Sequence, residues 1–198
     1  RESLWLDETL LPAFEDRAAP SQEAGFQPFA TTAQRLVPCF LPIGARTPVR
    51  QTSSTHGPDG YITTDPALIE KNIQRLAQKI QSASEQLAQY EYLAVPSARR
   101  LIIAYGVTAR AARQAFETLK RSNAPAGLLI LKTLWPVSET LIQDMAAPFE
   151  RILVVEMNLG QYVREIRRIL PQQKISFFGQ MNGELITPTQ IVEAAVHG

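Results

Sequence analysis

Cysteine occurs once in these 198 residues and histidine twice. The single thiol, Cys39, excludes an internal disulfide and any iron–sulfur cluster held by this chain's cysteines alone. It fits a reducing, cytoplasmic setting. His56 and His197 are too few and too isolated for a histidine-rich metal site. There is no excess of charge of either sign: 20 Lys and Arg against 19 Asp and Glu leave a net charge of +1. A nucleic-acid binder would normally show a basic excess, so no nucleic-acid partner is expected. No apolar run approaches the length that spans a bilayer, so no membrane association is expected either. Arg1, Glu2, Asp7 and Glu8 leave no apolar core for a signal peptide. The chain opens on Arg, which fits a processed N-terminus or one piece of a longer polypeptide.

The 45% hydrophobic content belongs to an ordinary globular chain. Three zones divide it. Residues 1–64 read as an extended Pro-rich arm or linker, with prolines at 12, 20, 28, 38, 42, 48 and 58 limiting regular structure. Trp5, Leu10, Leu11, Phe14, Phe26, Phe29, Phe40 and Leu41 are too apolar for a disordered tail, so the arm is expected to lie on something and bury them. Residues 65–92 read as one long amphipathic helix, with Asp65 as N-cap and Pro66 at its first position. Ile69, Ile73, Leu76, Ile80, Ala83, Leu87 and Tyr90 form a single coiled-coil-like seam along it.

Residues 97–198 read as an α/β domain. Unalternating apolar runs at Leu101–Tyr105, Gly127–Leu131, Ile152–Val155 and Ile175–Phe178 are separated by helical patterns. Strands of that kind imply a doubly wound, mostly parallel sheet covered on both faces, Rossmann-like in general plan. Thr187-Pro188 opens a terminal helix.

Two turns carry the candidate chemistry. In Y-G-V-T-A-R, Gly106 and Thr108 sit at a helix N-terminus, where free N–H groups can hold an anion with help from Arg110. The plainer reading is that Gly106 makes the turn and Thr108 caps the helix. In V-V-E-M-N-L-G-Q, Glu156 ends a strand at the sheet's carboxyl edge, where α/β proteins place ligands. Asn158 can cap the next helix, Gly160 permits close packing of its first turn, and Gln161 can reach a loop or a neighbouring chain. No nucleophile–base pair is visible in either turn. His56, in T-H-G-P-D-G, is either a proton-transfer partner of Asp59 or a loop residue bonded to backbone. Cys39 reads as a small buried apolar residue, and His197 as part of a frayed tail.

Taken in order, R-E-S-L-W-L-D-E-T-L-L-P, S-S-T-H-G-P-D-G-Y-I-T-T-D-P, L-I-I-A-Y-G-V-T-A-R-A-A-R-Q-A, L-K-T-L-W-P-V-S-E-T-L-I and V-V-E-M-N-L-G-Q-Y-V-R-E-I resemble the C-terminal part of the alpha subunit of 2-oxoacid:ferredoxin oxidoreductases. The resemblance covers nearly the whole chain. Where the family's His-centred loop often reads E-H-D-E, this chain reads T-H-G-P-D. The resemblance implies a domain like the C-terminal domain of transketolase from Arg99 onward. It also implies an enzyme that oxidatively decarboxylates 2-oxoacids with coenzyme A. Thiamine diphosphate, Mg²⁺ and iron–sulfur clusters would then be held by other domains or subunits, and no catalytic, cofactor or metal residue is assigned to this chain. Its implied partners are the thiamine-pyrimidine domain, a beta subunit and, indirectly, ferredoxin, in a homo- or hetero-oligomer. The expected function is a non-catalytic domain that supports assembly. A free-standing anion-binding regulatory module and an oligomerisation module remain as alternatives.

Overall fold

The computed structural model describes residues 17–198. The expectations placed on Trp5, Leu10, Leu11 and Phe14 lie outside the described residues. The chain divides into two compact units, Arg1–Ile80 and Gln81–Gly198.

In the first unit the described arm is a chain of turns with isolated bridges at Thr32–Arg35 and His56–Ile62. Leu41 is buried, Phe26 and Phe29 are half-buried, and Phe40 is exposed beneath the Arg17 guanidinium, 5.3 Å from its ring centroid. Cys39 is half-buried rather than buried, and its Sγ accepts from Arg35 Nη1 at 2.8 Å. The unit ends in helix α1, Pro66–Gln81. Asp65 caps it as expected: its Oδ1 accepts the Ala67 N–H at 2.9 Å and its carbonyl accepts from Ile69 N.

The long helix stops earlier than the seam suggested. α1 ends at Gln81, a single turn α2 follows at Ser84–Leu87, and Tyr90–Leu93 is strand β1. Ser82 and Ser84 favour turns over helix interiors. Beyond them, Y-E-Y-L alternates and pairs antiparallel with β3, Tyr90 opposite Leu131 and Leu93 opposite Leu128. Thr133 fixes the junction by donating its hydroxyl to Leu87 O at 2.6 Å and accepting from Gln89 N. Tyr90 fits the 3.5-residue spacing from Leu87 and also, with Tyr92, a two-residue strand period, and the sheet pairing decides between them. Glu91, on this edge strand, meets Lys132 and Arg113, which hold its carboxyl below the usual range.

The second unit is the expected α/β domain. Its remaining elements are β2 Arg100–Tyr105, α3 Thr108–Lys120, β3 Ala126–Leu131, α4 Glu139–Ala146, β4 Arg151–Glu156, α5 Tyr162–Ile169, β5 Lys174–Gly179 and α6 Pro188–His197. The sheet order is β1-β3-β2-β4-β5, with β2 to β5 parallel and β1 antiparallel at the edge. Strand residues alternate between two cores. Leu101, Ile103, Leu129, Ile152 and Val154 pack with residues of α4 and α5. Ile102, Ala104, Leu128, Leu153 and Val155 pack with α3 and α6. Both faces are covered, which is why these strands lack polar alternation. α6 starts with a full capping box between Thr187 and Gln190 and runs through His197, so that histidine is the last helical residue and not a frayed tail. No helix among the described residues is long and apolar enough to cross a membrane.

Candidate functional site at the strand switch point

The chain winds from β2 outward to β3, then returns to the other side of β2 for β4 and β5. The gap between the carboxyl ends of β2 and β4 is therefore the topological switch point, the usual ligand crevice of an open α/β sheet. Both turns singled out in the sequence end there.

Glu156 closes β4 with a side chain that is fully buried. A carboxylate taken out of water needs partners. It finds three: Tyr105 Oη donates to Oε2 at 2.8 Å, Tyr162 N to Oε2 at 2.9 Å and Val163 N to Oε1 at 2.8 Å. The two amides are the first of helix α5, so the carboxylate sits on the positive end of that helix. Asn158 completes the turn. Its Oδ1 accepts from Gly160 N at 2.8 Å and Gln161 N at 2.9 Å, and its Nδ2 donates to Tyr105 Oη at 2.9 Å. Gly160 has φ +83, and a Cβ there would meet Val163 Cγ1 at 3.0 Å, so a glycine is required. The α5 N-terminus is thus an anion site already filled by the chain's own carboxylate.

Tyr105 packs edge-on against Tyr162, ring centroids 5.6 Å apart. Desolvation, then the bond to Glu156, pushes the Tyr105 phenol up to about 12. Desolvation, then the charge of Glu165, does the same for Tyr162. Both phenols are donors or packing groups, not bases, at neutral pH. Since their folded-state values lie above the free value, the stability they confer is complete below about pH 10 and is lost as pH rises through 12. Alkaline titration followed at 295 nm should therefore show Tyr105 and Tyr162 ionising last of the five tyrosines, with Tyr92 also raised by burial. Five phenols titrating together near pH 10 would contradict the buried network.

The other turn is also satisfied from within. Gly106 adopts φ +58 and makes the turn as expected. Thr108 does not cap α3 by accepting an N–H. Its buried hydroxyl donates to Tyr105 O at 2.7 Å and to Val155 O at 3.4 Å, tying β2 to β4. Arg110 is exposed on α3. The structure therefore gathers Gly106, Thr108, Glu156 and Asn158 at one sheet edge, with Gln161 exposed beside them. His56 belongs to the first unit. Its Nδ1 lies 3.1 Å from Gly57 O and its ring stacks on Phe29 at 3.9 Å. Asp59 accepts instead from Tyr61 N. His56 thus lies against the backbone of its own turn, and Asp59 bonds an amide of the same turn.

Sequence reasoning passed over Tyr105, whose hydroxyl links Glu156 to Asn158. A strand-end tyrosine beside a strand-end glutamate was the available signal, but strand adjacency was needed to read it. It also passed over the rim of the sheet. Val107, Trp135, Leu159 and Met181 follow β2, β3, β4 and β5 respectively, and all four are exposed, Trp135 by 78% and Leu159 by 74%.

No group of three His, Cys, Asp or Glu able to hold a metal ion is gathered among the described residues. With Cys39 held by Arg35 and Glu156 by α5, the described residues do not fit a diphosphate–Mg²⁺ site or a cluster.

Comparison with known proteins agrees with this architecture. Residues 98–191 match the model of the pyruvate:ferredoxin oxidoreductase core domain II. The 2-oxoglutarate synthase subunit KorA of Methanothermobacter marburgensis is 30% identical over 151 residues, 75% of this chain and 40% of the relative. The ketoisovalerate oxidoreductase subunit VorB of Methanothermobacter thermautotrophicus is 31% identical over 118 residues, 60% of this chain and 34% of the relative. Among solved structures, the 2-oxoglutarate:ferredoxin oxidoreductase from Magnetococcus marinus superposes with a TM-score of 0.77 at 21% identity, over 89% of this chain and 31% of that one. This chain spans less than half the length of each of these proteins.

Proposed function

We propose that this chain is part of a 2-oxoacid:ferredoxin oxidoreductase subunit, as its likeness to that family's core domain II and to KorA supports, and that its α/β unit is an assembly domain that takes no direct part in catalysis. The observation that carries this reading is the fate of Glu156. The Glu156 carboxylate at the switch point is engaged by three internal hydrogen bonds, so it serves the α5 N-terminus and is not free to act as an acid or base. Among the residues exposed at the same edge are four large apolar ones: Val107, Trp135, Leu159 and Met181. At about 4.8 Å per strand the four loops spread over roughly 14 Å. Single exposed apolar residues need no explanation, but four on the loops of adjoining strands suit a protein contact. The partner it suits is another domain or subunit of the oxidoreductase.

In this reading thiamine diphosphate, Mg²⁺ and the iron–sulfur clusters are held elsewhere in the enzyme, whose reaction is the coenzyme A-dependent oxidative decarboxylation of a 2-oxoacid. Isothermal titration of the isolated chain with thiamine diphosphate and Mg²⁺ should give no saturable heat. Micromolar binding would overturn the assignment.

A further inference from the structure

The first unit contains a groove that the assembly reading does not use. It lies between the Pro-rich arm and α1 and encloses roughly 560 Å³, within the range of small-molecule sites. Its apolar wall includes Phe29, Leu36 and Leu68. Its polar wall is one face of α1, where Lys71, Arg75 and Gln78 follow at helical spacing. Among the described residues no Asp or Glu lines it. The neighbouring acid, Glu70, accepts from Gln74 Nε2 at 3.1 Å.

Arg75 is the informative residue. Its Nη1 donates to Leu36 O at 3.0 Å, which fixes the guanidinium against the arm. Its Nε is buried and has no hydrogen-bond partner among the described residues. An ordinary solvated arginine would leave that N–H to water, whereas a buried unpaired donor is uncommon and points to an acceptor. A fixed guanidinium with donors in a planar fork is suited to phosphate or carboxylate oxygens, and Lys71 adds a second cation four residues away. Asn72 keeps the groove in shape by donating to His56 O at 2.8 Å, joining the T-H-G-P-D-G turn to the helix.

We propose that this groove binds a small polyanionic metabolite, with Arg75 and Lys71 gripping its anionic groups and Phe29 and Leu36 packing against its body. Isothermal titration of the 198-residue chain with inorganic pyrophosphate and, separately, with citrate tests it at fixed ionic strength. The two arms distinguish a phosphate ligand from a carboxylate one. At least one probe should bind saturably with a Kd of about 1 mM or tighter. Lys71→Ala, at an exposed position, should weaken it about fivefold or more, and Arg75→Gln should abolish it while circular dichroism stays native. Arg164→Ala, exposed on α5, should change nothing. Absence of saturable heat from both probes would overturn the proposal, as would binding that Lys71→Ala and Arg75→Gln leave intact or that Arg164→Ala weakens equally.

Discussion

Replacing Glu156 by Ala should destabilise the α/β unit by about 3–5 kcal/mol. The side chain is fully buried and accepts from Tyr105 Oη, Tyr162 N and Val163 N. Truncation leaves the first two amides of α5 and a phenol without acceptors, and it opens a cavity beneath the switch point. Each unsatisfied buried donor carries a desolvation penalty of about 1–3 kcal/mol. Water entering the cavity would offset part of that. Glu156→Gln keeps the shape but removes the charge and turns an N–H₂ toward donors, so a smaller loss of about 2–3 kcal/mol is expected. Urea unfolding of the isolated chain measures both. A loss under about 0.5 kcal/mol for the Ala variant, the ordinary surface value, would mean that the carboxylate is not the α5 cap.

The second large effect concerns the rim and leaves stability untouched. Trp135 is 78% exposed, so Trp135→Asp removes almost no core and should keep unfolding within about 0.5 kcal/mol of the parent. Association with the rest of the oxidoreductase should weaken about 100-fold or more. Buried interface tryptophans commonly contribute about 2 kcal/mol or more, and an aspartate in their place would be desolvated without a partner. Sedimentation or light scattering of the complete oxidoreductase carrying the substitution reads this directly. Unchanged assembly would remove the rim from the contact.

How much of this was legible in the sequence follows from what each feature depends on. β2, β3 and β4 were readable because burial on both faces removes polar alternation, leaving runs such as L-I-I-A and I-L-V-V. Caps at Asp65 and Thr187 were readable because they depend on neighbours two or three residues away. β1 was not, since Tyr90 and Leu87 continue the apolar spacing of α1 and only the ladder with β3 reveals a strand. The same limit governs the site. Glu156 and Asn158 could be picked out at a strand end, but what they bond depends on β2 lying beside β4, which places Tyr105 against them. Thr108 was taken for a cap because of its position. Its hydroxyl instead donates back to Tyr105 O at 2.7 Å, with Val155 O, 47 residues away in sequence, at 3.4 Å.

The most direct test of a structural rather than catalytic switch point is turnover of the complete oxidoreductase carrying Glu156→Gln, expressed per assembled complex at a temperature where the variant remains folded. If Glu156 only holds α5 in place, kcat stays within about threefold of the parent even though the unit melts earlier. A fall of about 10³-fold with assembly intact, the scale of a lost acid–base group, would contradict the account.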